Sequence, residues 1–306
     1  MKVTKRILAM LLAVMMMLTL AACDDKPETP ETPDTPDAPA AVQLPTAEFT
    51  DYTVKFVGAE TVAGEEGANL LRLYYDFTNK SEETESPMSA ISFDFVQDGS
   101  VLEDTVWAEE EAEEDGNEWL ELRPGASLRC IEEIALLKNE GVVTVTVYDF
   151  TYDEDTLKFD VDLKALPGKP AEAFVIAPVA DPKFTDGLPN KGTYEEDYEV
   201  SVDSVERTKG EDGEDLIRVF YTFTNNADEE ENMWFSTDIV VFQDGVELEE
   251  GYPAEETDTD EAYNEDIATG KTISASVCYE LLSDSPIEVE FYDGWDATIG
   301  ARFDVK

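Results

Sequence analysis

The residues of this chain that could do chemistry are mostly carboxylates. Among 306 residues, Asp and Glu number 72 against 21 Lys and Arg, giving a formal net charge of −51, and histidine is absent. Without imidazole, Ser-His-Asp catalysis, Cys-His catalysis and His-containing zinc sites are all excluded. The charge opposes contact with phosphate backbones, so nucleic acid is not expected as a partner. Two acidic clusters, 109–115 and 255–261, occupy matching places in the chain. Calcium takes roughly six to eight oxygen ligands, and Asp258 and Asp260 are spaced like the start of an EF-hand loop. The rest of that framework fails: Ala262, Tyr263 and Thr269 stand where a third ligand, the turn glycine and the closing glutamate belong. The clusters read as solvated loops, and no metal or cofactor site is assigned. Paired carboxylates also serve glycoside hydrolysis. Trp107, Trp119, Trp234 and Trp295 could stack on sugars, although Trp in a β-rich domain belongs more often to the core or its rim.

A second chemistry sits at the start of the chain. Lys2, Lys5 and Arg6 are followed by an apolar run from Ile7 to Leu18, then by Leu20-Ala21-Ala22-Cys23. The run is short for a membrane span and fits a signal-peptide core. Leu-Ala-Ala-Cys resembles the lipobox of bacterial lipoproteins. The resemblance implies cleavage before Cys23 and lipidation of Cys23, which would hold the chain on the extracellular face of the cytoplasmic membrane. The membrane is then its first partner, and two acyl chains make such anchoring stable. Residues 1–22 are read as signal peptide. Residues 23–46 are read as a disordered tether, because Pro27, Pro30, Pro33, Pro36 and Pro39 recur every third residue among Thr, Glu and Asp, a spacing that favours polyproline II. Cys130 and Cys278, one in each half, are expected as free thiols.

What positions these residues is a unit written twice. Leu70 to Asn79 (LLRLYYDFTN) returns as Leu216 to Asn225 (LIRVFYTFTN), and Val96-Gln97-Asp98-Gly99 returns as Phe242-Gln243-Asp244-Gly245. A self-similar unit should fold as one domain each time. Leu71, Leu73, Tyr75 and Phe77 alternate with polar residues, as do Ile217, Val219, Tyr221 and Phe223, which suits a sheet packed on one side. Asp-Gly between β-rich runs predicts hairpins with positive φ at Gly99 and Gly245. Closing strands are expected at 142–150 and 157–163, then at 287–292 and 299–305, with Phe159-Asp160-Val161 matching Phe303-Asp304-Val305. A strand is also expected at Trp119, a strand at 172–176, and one or two helical turns at 109–115. The chain is thus all-β, two tandem antiparallel sandwiches at 47–163 and 194–306, joined by a Pro- and Gly-containing linker at 164–193. Each is expected to fold alone.

The strand ending in Phe-Thr-Asn, the Gln-Asp-Gly hairpin and the glycine turns at Arg123-Pro124-Gly125 and Thr269-Gly270-Lys271 together resemble a known family. It is that of the immunoglobulin-like domains of unknown function in lipoproteins and secreted proteins of Gram-positive bacteria. The resemblance implies the immunoglobulin-like fold and an exported, surface-anchored setting, and it supplies no catalytic residues. The expected function is a non-enzymatic envelope module, binding or structural, with an unknown envelope or extracellular ligand. The alternatives are a carbohydrate-processing hydrolase and a calcium-dependent surface module.

Overall fold

A computed structural model describes residues 44–103, 106–150, 156–179, 187–294 and 296–305. Cys23, the signal peptide, the tether up to residue 43 and Trp295 lie outside the described residues. The first repeat opens with strands β1 (Thr46–Glu48), β2 (Tyr52–Ala63), β3 (Asn69–Asn79), β4 (Ile91–Gln97) and β5 (Ser100–Val101). It closes with β6 (Ser127–Ala135), β7 (Val142–Asp149) and β8 (Thr156–Asp162). Two antiparallel sheets result, ordered β1-β2-β3-β6 and β5-β4-β7-β8. Their inner faces share one core, in which Phe56 of β2 lies 4.6 Å, ring centre to ring centre, from Phe159 of β8.

The second repeat builds the same sandwich. Its strands are β9 (Lys191–Tyr194), β10 (Tyr198–Lys209), β11 (Asp215–Asn225), β12 (Glu231–Asn232), β13 (Ile239–Gln243) and β14 (Val246–Glu247), then β15 (Asp266–Ile267), β16 (Lys271–Glu280), β17 (Ile287–Asp293) and β18 (Asp296–Phe303). The sheets are ordered β16-β11-β10-β9 and β14-β13-β17-β18, with β12 and β15 as a small extra ladder. The register shift in the first long strand recurs, between Phe56 and Gly58 in β2 and between Val202 and Ser204 in β10. The chain is therefore a tandem of all-β sandwiches, as the alternating patterns implied.

The repeated polar residues turn out to be loop clamps. Asn79, fully buried, donates to Glu83 O and Leu122 O at 2.8 Å each and accepts from Ser81 N at 2.9 Å. Asn225 does the same with Glu229 O, Ile267 O and Ala227 N. Gln97 bonds the backbone of 137–140, and Gln243 that of 282–285. Each buried amide satisfies the backbone groups of a loop that could not otherwise leave water. The hairpins behave as expected, with φ of 81° at Gly99 and 84° at Gly245, and with Asp98 and Asp244 also at positive φ.

Several expectations fail for identifiable reasons. Trp119 lies in a 3-10 turn, Asn117–Trp119, and not in a strand. Residues 109–115 form turns and not a helix, whereas the matching cluster ends in a one-turn helix, Asp258–Ala262. Segment 172–176 is irregular, held by side chains with no ladder of its own. Lys191–Tyr194 adds a strand just before the expected start of the second sandwich. The match of Phe159 with Phe303 is out of register by two: Val161 pairs with Val143, but Phe303 pairs with Ile287, the residue equivalent to Val143. Nor is the signature sheet of the first repeat packed on one side only, since Arg72 and Tyr74 on its outer face are buried as well. The linker lies over this sheet, Lys169 approaching the Tyr74 ring.

Candidate functional site

The described part of the chain from residue 44 onward belongs to one compact unit, and its most concentrated charge chemistry lies where the two repeats meet. Segment 121–123 of the first repeat adds itself to the edge of the second repeat's sheet. Leu122 bridges Val246 in antiparallel fashion, Arg123 N donates to Gly245 O at 2.8 Å, and Glu247 N donates to Glu121 O at 2.9 Å. Val246 is fully buried among the core residues of the first repeat. Arg123 is 1% exposed, pairs with Glu288 and, at 2.9 Å, with Glu290, and stacks 4.1 Å from the Phe242 ring centre. Arg302 pairs with Glu288 from the other side at 2.9 Å. Burial pushes the Glu288 carboxyl above its ordinary range, against the pull of Arg123 and Arg302.

The pairing is confined to this one joint. Asn79 and Asn225 bond Leu122 O and Ile267 O, so Leu122 and Ile267 are equivalent and Ala268 stands where Arg123 does. Gln97 faces Val143 across the sheet as Gln243 faces Ile287, so Thr144 and Thr146 stand where Glu288 and Glu290 do. Neither half of the charge cluster is repeated.

The linker completes the joint. Gly168 and Ala59 exchange backbone hydrogen bonds at 2.8 and 3.2 Å. A Cβ on Gly58 would lie 2.7 Å from Pro170 Cδ, which is why this position is glycine where the second repeat carries Ser204. Arg129 grips Asp76 with two nitrogens and donates to Glu172 O at 2.8 Å. Between linker and repeats lies a cleft of about 470 Å³. Its apolar floor includes Leu128, Phe174 and Val246, and its rim carries Glu113, Glu114, Glu247, Glu249 and Glu280. The volume falls within the range of small-ligand sites. Burial raises the carboxyls of Glu247 and Glu249.

Of the residues singled out from sequence alone, Glu113 and Glu114 of the first acidic cluster reach the cleft rim, while the cysteines, the tryptophans and the second acidic cluster lie elsewhere. Cys130 and Cys278 are free and buried. Burial raises both thiols, that of Cys278 to about 11, so neither is a ready nucleophile. Asp260 caps its own short helix through Thr257 N at 2.8 Å, accepts from Ser276 Oγ, and pairs with Arg218 at 3.0 Å. Burial would raise its carboxyl, but the bonds from Ser276 and Thr257 hold it below the usual range. Arg218 also donates to Glu255 O, as Arg72 does to Glu110 O, so each acidic loop hangs from a buried arginine of the signature strand. Among the described residues no cluster of three or more Cys, Asp and Glu is arranged to hold a metal ion. Trp107, Trp119 and Trp234 are all exposed, and none of them lines the cleft. The joint itself went unread in the sequence. A signal was present, however: charged residues in one repeat where the other has Thr or Ala.

A tandem of clamped β-sandwiches is thus the class to which the chain belongs. Residues 28–149 and 182–293 each match the family "domain of unknown function (DUF5067)". The chain belongs to that family, carrying its domain twice. No curated protein matches the chain. Among solved structures, it is similar to a candidate lipoprotein from Staphylococcus aureus at 20% identity, TM-score 0.31, over 36% of this chain and 84% of that one. It is also similar to a protein from Enterococcus faecalis at 15% identity, TM-score 0.33, over 38% of this chain and 90% of that one. An exo-chitosanase from Amycolatopsis orientalis aligns at 12% identity, TM-score 0.19, over 78% of this chain and 25% of the enzyme.

Proposed function

We propose that the chain is a non-enzymatic, lipid-anchored module of the bacterial envelope. Cys23 carries the lipid, the proline-rich segment lifts the sandwiches off the membrane, and the cleft between the repeats receives an extracellular ligand. The observation that carries the reading is the way the joint holds that cleft open. Segments 113–120, 169–176 and 246–249 line it, the last fixed in place by its backbone bonds to residues 121–123 and the linker by those between Gly168 and Ala59. The polar groups with chemical promise elsewhere, Asp260 and the two thiols, are engaged in the fold or buried within it.

The anchoring is tested by feeding labelled fatty acid. Wild type should incorporate it and Cys23→Ser should not; a labelled variant overturns the anchor. The cleft is tested by filling it. Ala173 is exposed on its wall, so Ala173→Trp should leave the fold intact and abolish capture of the ligand that wild type retains from envelope extract. Equal capture by both places the binding surface elsewhere.

A hydrolase reading has one observation in its favour: Glu247 lines the cleft with a raised carboxyl, a property of general acids. Glu247 Oε2, however, accepts the Glu121 backbone N–H at 2.8 Å, a structural duty. Hydrolysis of envelope glycans by wild type, lost in Glu247→Gln, would favour the enzyme.

A further inference from the structure

Four carboxylates from the two repeats converge beside the joint. Glu121 faces Glu247 of β14, Glu85 from the segment before the helix Pro87–Ala90, and Asp238 from the segment leading into β13. Tyr292 of β17 also lies within range of Glu121, with its hydroxyl donated to Glu290 at 2.8 Å. Arg123, two residues along on the same segment, is turned to Glu288 and Glu290. Glu247 in turn feels Asp238 and Glu249. The backbone bonds that join the repeats run through the same residues. Glu247 N donates to Glu121 O, Glu121 N donates to Glu247 Oε2, and Arg123 N donates to Gly245 O.

We propose that the joint is proton-sensitive: a proton held by the Glu121–Glu247 pair tightens the docking of the second repeat's hairpin on the first repeat, and its release loosens it. Two ionised carboxylates facing each other across a half-buried seam repel one another, and neither is fully hydrated. Separation of the repeats returns both to water, so the ionised form favours separation and the protonated form favours the joint.

The titration supports this reading. Burial first, then the charges of Glu247, Glu85 and Asp238, pushes Glu121 from an ordinary 4.5 up to about 7. Burial likewise raises Glu247 and Asp238. The joined form binds protons more tightly than the separated form, so linkage fixes the sign. The contribution of Glu121 to the joint is complete below pH 4.5, is lost as pH rises from there to about 7, and changes little beyond. This device stands whether or not the cleft holds a ligand, although Glu247 belongs to both, and the cleft wall should follow the same proton.

Hydrogen exchange on the full chain tests it, with each amide corrected for intrinsic rate. Between pH 5 and pH 8, protection of the Arg123 and Glu247 amides should fall by about tenfold or more. Glu121→Gln should flatten that fall. Glu103→Gln, the same charge change at an exposed site, should leave it in place. Should Glu121→Gln fail to fold, Glu247→Gln should make the fall smaller without abolishing it, because it removes one charge facing Glu121 while its side-chain oxygen still accepts from Glu121 N. A constant protection in wild type, or the same fall in the glutamine variants, overturns the proposal.

Discussion

The two repeats share the residues that make a sandwich and differ at the residues that join them. Asn79 and Asn225, Gln97 and Gln243, and Arg72 and Arg218 sit at equivalent places and hold equivalent loops. Arg123 against Ala268, Thr144 and Thr146 against Glu288 and Glu290, and Gly58 against Ser204 are the departures, and all lie at the joint or under the linker. Comparing one domain with its copy thus separates two kinds of polar residue. Those kept in both serve the fold, and those present in one serve the assembly.

The largest effect is expected at Arg123. Removing one member of a buried ion cluster leaves its partners charged and unpaired, at a cost of about 3–5 kcal/mol. Arg123→Ala should lower the stability of the two-repeat chain by that much in urea unfolding. Its counterpart Ala268 is exposed and takes no part in the joint, so Ala268→Arg should change stability little.

The shared clamps should behave oppositely, with equal effects in both halves. Asn79→Ala and Asn225→Ala each strip a buried amide that bonds three backbone groups, a loss of about 2–3 kcal/mol at either site. A large loss at one and none at the other would show that the motif is not doing the same work twice.

The hairpins sharpen the contrast further. Both Gly99 and Gly245 have positive φ, so alanine costs about 1 kcal/mol at each through backbone strain. At Gly99 a new Cβ meets nothing within 4 Å. At Gly245 it would lie 2.5 Å from Val179 Cγ2 and 3.2 Å from Ala126 Cβ, because this hairpin is docked. Gly245→Ala should therefore exceed Gly99→Ala by about 1–2 kcal/mol, measured as the difference in ΔG of unfolding.

The smallest effect concerns cations. With Asp260 held by Arg218, Ser276 and Thr257, divalent ions should act on the surplus negative charge in general. Calcium and magnesium should raise Tm alike and gradually. A saturable, calcium-selective rise would restore the calcium-dependent reading.

Most of the sandwich was legible in the sequence, because one face of each strand must be apolar and side chains alternate. The Asp-Gly hairpins were legible because their backbone conformation demands those residues. The joint was not, because it is made by outer-face residues whose partners lie far along the chain: Arg123 and Glu288 are 165 residues apart. Arg123 read as the first residue of a glycine turn. Glu288 and Glu290 alternate with Ile287, Val289 and Phe291, a pattern that by itself marks a solvent face, where glutamate needs no explanation. Val246 read as a returning strand of its own domain, although it is buried against the neighbouring one. The anchor at Cys23 was legible through its motif alone and lies outside the described residues.

Unrepeated side chains couple the two repeats. A double-mutant cycle of Arg123→Ala with Glu290→Gln on the two-repeat chain tests it most directly. A coupling of about 1.5–3 kcal/mol across the joint is expected, since either substitution alone already removes the Arg123–Glu290 pair. Additivity of the two substitutions, to within about 0.5 kcal/mol, would contradict it.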